Sequence, residues 1–266
     1  MTDLSLRPPA FAGQFYPADA DQLRREVEGY LDAASLPDGV DDVRAVVAPH
    51  AGYVYSGKTA GYAFKALRQL PDREWTVFLL GPAHRVPVTG VALGAFSALR
   101  TPLGEAPVAV ERVEEMLAET SFYTRAARAH QPEHCLEVEV PFLQVSLRRF
   151  RLVPMLVGQA RPKEVAKDLR GRLQEDDLIV VSSDLSHFHT YDEAQQKDRG
   201  LLDALLAGDE AGVRHGEACG RAPLTALMEI AEVEGWVPHL LDYRNSGDTG
   251  GGKSRVVGYA SIAYTR

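Results

Sequence analysis

Cysteine is scarce in this chain. Only Cys135 and Cys219 occur among 266 residues, and no CxxC pair is present. That excludes a disulfide framework and a zinc site built on thiolates alone. Long apolar runs are absent as well: none approaches the roughly 20 residues that cross a bilayer. The N-terminal MTDLSLRPPAFAGQFYP lacks the basic-then-apolar grammar of a signal peptide. Positive charge is in deficit, with Lys and Arg numbering 29 against 37 Asp and Glu, for a formal charge of -8. A net-negative surface argues against non-specific binding to nucleic acid or anionic membranes. Internal repeats and low-complexity tracts are missing too. These absences predict a cytoplasmic protein, with residues 1–266 forming one domain and no nucleic acid or membrane among its partners.

The remainder has the balance of an ordinary globular chain, 45% hydrophobic and 25% charged, long enough to bury a sizeable core. Three segments share one pattern, an apolar, partly β-branched run that stops abruptly at polar residues: Ala45–His50 (AVVAPH), Val77–His84 (VFLLGPAH) and Leu178–Asp184 (LIVVSSD). Continuous apolar runs without alternation predict strands covered on both faces. Gly90–Leu93, Arg151–Val157 and Arg255–Tyr264 read as further strands, with Pro154 placing the second near an edge or a bulge. Helical spacing marks Leu23, Val27, Tyr30 and Leu31, which Asp19 or Asp21 could cap. It returns at Ala60, Ala63, Phe64 and Leu67, with Ser56 as a candidate N-cap. Val110–Leu117, Pro162–Leu173, Asp192–Leu206 and Pro223–Val233 follow the same rule. Alternating strands and helices predict an α/β layered fold.

Ligands of open α/β sheets gather outside the carboxyl ends of the strands. The residues that end the three best strands, His50, His84, Asp184 and nearby His187, therefore become candidates for one site. Two imidazoles and a carboxylate are the donor set of many non-heme metal centres. A single histidine at a strand end is most often a structural loop residue, but the pair in PHAG and GPAH is harder to dismiss. Asp184 could instead cap the following turn, and Glu133–Glu137 could begin a helix with His134 in its first turn and Glu137 exposed. Gly247–Ser254 (GDTGGGKS) satisfies the phosphate-loop pattern G-x-x-x-x-G-K-[ST]. A phosphate loop must open a helix, whereas the residues after Ser254 alternate like a strand, so nucleotide binding is not expected there.

Taken together, FAGQFYP, APHAGYVYSG, GPAH, EHCLEVEVPFLQ, VSSDLSH and the terminal GYASIAY resemble the Memo family, whose prokaryotic members are called AmmeMemoRadiSam system protein B. The resemblance runs from about Arg7 to Tyr264. It implies a layered α/β/α fold around a mixed, largely parallel sheet, similar to the class III extradiol dioxygenases, which hold non-heme Fe(II) through two histidines and a carboxylate. His50 and His84 match the first two ligand positions, and His187 matches the pocket histidine that acts as a base. Asp184 and His134 fall in motifs that contribute to the family's pocket.

For the third ligand, the vertebrate members carry a cysteine before the last strand. Counting back from Gly258 without gaps places Thr249 there, with Asp248 beside it. Threonine is a poor ligand for Fe(II), so Asp248 is the expected third ligand, and thiolate chemistry is not expected. The resemblance thus implies an Fe(II)-dependent, dioxygenase-like oxidoreductase acting on a small, aromatic molecule, with Zn or Cu as alternative metals. It also implies association with a radical SAM protein and an AMMECR-type protein. Two other readings remain open at this point, a catalytically silent binding or signalling protein on the same scaffold and a metallohydrolase.

Overall fold

The computed structural model describes residues 5–94, 96–119 and 122–266. In chain order the elements are α1 (Ala20–Ala33), β1 (Val43–Ala48), α2 (Tyr53–Arg68), β2 (Glu74–Pro82), β3 (Val91–Leu93), β4 (Ala98–Thr101), β5 (Gly104–Pro107), α3 (Val110–Glu119), β6 (Tyr123–Arg125) and α4 (Ala127–His130). A turn of 3-10 helix at Glu137–Glu139 leads into α5 (Val140–Ser146), β7 (Arg149–Val157), α6 (Pro162–Arg172), β8 (Asp177–Ser182) and β9 (His187–His189). The chain closes with α7 (Tyr191–Ala207), α8 (Glu210–His215), α9 (Arg221–Glu234), β10 (Val237–Asn245), α10 (Ser246–Thr249) and β11 (Val256–Thr265).

The main sheet runs β10-β11-β1-β8-β2-β7-β3-β6, while β9 pairs separately with β11 and a β4–β5 ribbon stands apart. Its centre, β1, β8, β2 and β7, is parallel throughout. These are the continuous apolar runs of the sequence, and every residue of β1 and β8 is buried, as a strand covered on both faces must be. Val47 pairs with Val181, and Val181 with Leu80, so the three polar-ended strands finish in one row across the sheet. The antiparallel members are β11 against both β1 and β10, and β3 against β7.

Helices cover both faces of this mixed, largely parallel α/β sheet. Thr59 of α2 donates to Asp242, whereas Asp198 of α7 accepts from Tyr243. Asp242 and Tyr243 are neighbours on β10, and neighbouring strand residues point to opposite faces. α1 and α5 pack beside α2 on one face, and α9 lies on β2 and β8 with α6 and α8 beside it. Phe64 of α2 stacks on Phe142 of α5 with centroids 4.9 Å apart. No helix among the described residues is long and apolar enough to cross a membrane.

Two local expectations need correction. The strand holding Pro154 is interior, between β2 and β3. Proline is tolerated because the β3 ladder ends at the Leu93–Met155 pair, one residue short of it. Ser56 lies inside α2, which starts at Tyr53 after Gly52, and its hydroxyl bonds back to the Ala51 carbonyl. Of the two candidate caps for α1, Asp19 is the one used, accepting from the Gln22 N–H at 2.8 Å. After Ser254 the chain does enter a strand, β11, and no helix follows the glycine loop.

Candidate metal centre

His50 lies just past the end of β1 and is buried. Its main-chain N–H donates to Asp184 Oδ1 at 2.8 Å, its Nδ1 sits 2.8 Å from Ser182 Oγ, and its Nε2 lies 3.2 Å from Cys219 Sγ. β8 supplies Ser182 and, through the Ser183 N–H bound to the Ala48 carbonyl, keeps Asp184 beside β1. His84 follows β2. Its N–H donates to Glu133 Oε2 at 2.7 Å, and its Nδ1 lies 2.9 Å from Glu133 Oε1.

His134 completes the group. Its ring centroid is 5.3 Å from that of His50 and 5.0 Å from that of His84, and His50 and His84 are 5.2 Å apart. One ring nitrogen from each lies within 4.8 Å of the other two, an arrangement able to hold a metal ion. His84, Glu133 and Cys135 meet the same distance test. His134 Nδ1 is 3.2 Å from Glu133 Oε1, a close contact with the carboxylate that lacks hydrogen-bonding alignment. The rings grade from closed to open: 2% of His50 is exposed, against 13% of the His134 side chain and 27% of the His84 side chain.

The electrostatics suit a cation. Burial, followed by the neighbouring His134 and His84 imidazoles, drives the His50 pKa well below the ordinary histidine value. Burial pushes Glu133 upward, yet the His134 and His84 side chains and the His84 N–H outweigh it and hold the carboxylate well below its usual range. Burial lifts Asp184 to about 6 and, with the Asp184 charge, lifts the Cys219 thiol to about 12. Three imidazoles backed by an ionised carboxylate form a donor set that gains from a divalent ion, and the Cys219 sulfur stands beside the His50 ring. A coordinated thiol loses its proton to the metal's field. Donors at about 2.0 Å (nitrogen) and 2.3 Å (sulfur) from one tetrahedral ion sit roughly 3.5 Å from each other, close to the observed separation of His50 Nε2 and Cys219 Sγ.

His187, on β9, stands near enough for its charge to bear on both His50 and Asp184. Its Nδ1 is 2.8 Å from the Leu185 carbonyl. A carbonyl only accepts, so Nδ1 carries the proton and Nε2 is the basic nitrogen. Asp184 turns its Oδ1 to the His50 N–H rather than to the N–H of a following turn.

Asp248 is not brought to this group. Its Oδ2 accepts the Asn245 N–H at 2.9 Å and its Oδ1 accepts the Tyr191 hydroxyl at 2.6 Å, closing a capping box on α10. It is exposed and belongs to no cluster of facing ligand atoms among the described residues. The thiol approaches from elsewhere: Cys219 precedes α9, where Ser183 Oγ accepts the Gly220 N–H and fixes the turn. The cysteine nearest His50 thus lies in a different connection from the glycine loop where the ungapped count placed the third ligand. Its visible sign was a Cys-Gly step opening an apolar helix.

Glu133 and Ser182 were also missed, and Glu137 is fully buried rather than exposed. Glu137 pairs with Arg7 at 2.7 Å and accepts from the Tyr16 hydroxyl and the Ala10 and Phe11 N–H groups. This pairing seats the FAGQFYP segment, placing Phe11 and Phe15 against His134 at 5.6 and 4.8 Å between centroids. A cavity of about 380 Å³ is lined by Cys219 together with Ala83, Gln159 and Arg221.

Known proteins resemble this chain over almost its whole length. The family described as Memo-like protein matches residues 7–263. A MEMO1 family protein of Methanopyrus kandleri is 36% identical over 98% of this chain and 99% of its own length. One of Sulfolobus acidocaldarius is 34% identical over 97% of this chain and 99% of its own. The crystal structure of an uncharacterized protein from Escherichia coli K12 superposes with a TM-score of 0.54 at 12% identity, covering 83% of this chain and 99% of that one, and shares the fold. On the match of the family across almost its whole length, the chain belongs to the Memo-like proteins.

Proposed function

We propose that this chain is a metal-dependent, dioxygenase-like oxidoreductase that takes a small aromatic substrate, with Fe(II) as its metal. His50, His84 and His134 would hold the ion, with Cys219 as the donor nearest His50. The observation that carries this reading is the meeting of three imidazole rings at 5.0–5.3 Å with one nitrogen each turned inward. A bound ion supplies Lewis acidity and, if it is iron, a route for electrons between substrate and O₂.

The chain's own residues do the rest. Glu133 fixes the ring of His84. His187 Nε2 accepts the proton of a substrate hydroxyl, a role suited to imidazole near neutral pH. The Phe11 and Phe15 rings, set edge to face with each other and packed on His134, offer apolar surface to an aromatic ring. Asp184, half-titrated near pH 6, steadies the positive charge that His187 gains. Residence in the cytoplasm and work beside a radical SAM and an AMMECR-type protein complete the reading.

The test is metal analysis of the purified protein, anaerobic Fe(II) titration, and oxygen uptake against a panel of catechols. About one Fe(II) per chain and uptake lost in His187→Ala support the proposal. Preferential binding of zinc or copper, which the thiol also suits, overturns the iron assignment. Wild-type metal affinity in both His50→Ala and His84→Ala overturns the site.

A further inference from the structure

Ser182 Oγ lies within hydrogen-bond distance of three groups: the Cys135 carbonyl at 2.7 Å, His50 Nδ1 at 2.8 Å and Glu139 Oε1 at 2.9 Å. All of these residues are buried. A serine hydroxyl has one proton to give and two lone pairs to offer. A carbonyl can only accept, so the proton of Ser182 belongs to Cys135. Both other contacts must then donate to Ser182.

His50 donates if its proton is on Nδ1. Glu139 donates only as a protonated carboxylic acid. Any other assignment leaves two acceptors facing each other across less than 3 Å, with a buried group unpaired. We propose that Glu139 is a neutral acid that, through Ser182, sets the tautomer in which His50 turns an unprotonated Nε2 towards the metal position. Glu139 is thereby a positioning residue of the site. The metal part of this statement rests on the proposed function, whereas the proton pattern does not.

Two independent features agree with it. Burial drives the Glu139 carboxyl well above its ordinary range against the opposing pull of the Ser182 contact, and the charged group bearing on it is Asp184, of the same sign. On the far side of the ring, Nε2 of His50 faces the Cys219 sulfur at 3.2 Å. A thiol S–H is a weak donor, so this contact suits an Nε2 that offers a lone pair.

The experiment begins with metal-free protein. Infrared difference spectra between wild type and Glu139→Gln at neutral pH should show the carbonyl stretch of a protonated carboxylic acid, lost in the variant. Nitrogen NMR of His50 should show the proton on Nδ1. Fe(II) titration should then find Glu139→Gln, whose amide N–H can replace the acid proton, within about threefold of wild type, while Glu139→Ala and Ser182→Ala lose about 10–100-fold. Circular dichroism confirms that each variant is folded. A carboxylate signature at Glu139, an Nε2–H tautomer of His50, or a Gln variant as weak as the Ala variant overturns the proposal. Failure of wild type to bind any metal, with the acid band and the tautomer both present, would sink the proposed function and leave the proton pattern standing.

Discussion

Glu133 holds His84 at two points, with Oε2 on the main-chain N–H at 2.7 Å and Oε1 on the ring Nδ1 at 2.9 Å. The carboxylate thus fixes both the backbone and the side chain of the most open of the three imidazoles. It also fixes the tautomer: a carboxylate accepts, so Nδ1 carries the proton and Nε2 is left to bind.

Removal of this grip gives the first prediction. Glu133→Ala should weaken Fe(II) binding by about 10–100-fold, the range seen for outer carboxylates behind ligating histidines. Glu133→Gln should fall between the variant and wild type, since its amide oxygen still accepts from Nδ1. Anaerobic titration reads the effect, and equal affinities in all three proteins would show that His84 needs no such support.

Cys219 and Asp248 should behave in opposite ways. Asp248→Ala removes an exposed cap and should leave metal affinity within about twofold of wild type, as surface changes away from a site do. Cys219→Ala should lower it clearly, and the remaining centre should favour harder ions. Titration of both variants with Fe(II), Zn(II) and Cu(I) makes the comparison. Loss of affinity in the Asp248 variant alone would return the third ligand to the glycine loop.

The metal-free thiol should be sluggish. Burial and the Asp184 charge lift Cys219 to about 12, so the thiolate, which is the reactive form, is sparse at neutral pH. Alkylation of Cys219 by iodoacetamide at pH 8 should run far slower than that of an exposed cysteine. A rate equal to that of a free thiol would contradict the environment described here.

His130 predicts a specific dependence of stability on pH. It is buried, with Nε2 3.0 Å from the Ala92 carbonyl, and burial lowers its pKa from 6.5 to about 4. Between these values the unfolded chain binds a proton that the folded chain refuses. Its contribution to stability is complete above pH 6.5 and is lost as the pH falls towards 4, about 3 kcal/mol in total. Denaturant titrations of wild type and His130→Gln between pH 7 and 4.5 should converge as the pH falls, because glutamine carries no such penalty. Parallel curves would show that His130 titrates alike in both states.

The sheet was legible because its signal is local. Ala45–Ala48, Val77–Leu80 and Leu178–Val181 are apolar without alternation, and only a strand covered on both faces accommodates that. The polar residue ending each run then follows from geometry, and His50 and His84 meet as the shared pattern suggested. The rest depends on long-range register. Cys219 reaches His50 because the turn before α9 is pinned by Ser183, 37 positions earlier than Gly220. Nothing in the spacing of two isolated cysteines encodes that. Glu133 and Glu137 resemble surface acids of a helix start until His84 and Arg7 arrive to pair with them. Asp248 had the right chemistry, but its carboxylate is already used by Asn245 and Tyr191.

The three imidazoles that meet come from three different connections of the chain, spread from His50 to His134. No fragment can assemble such a centre, so an ion bound there would act as a clasp on the finished sheet. Its binding free energy would add to folding by mass action, about 2.7 kcal/mol when free metal stands at 100 times its dissociation constant. Cellular metal supply would then set how long the protein lasts as well as whether it works, and starvation for metal would be felt first as unfolding.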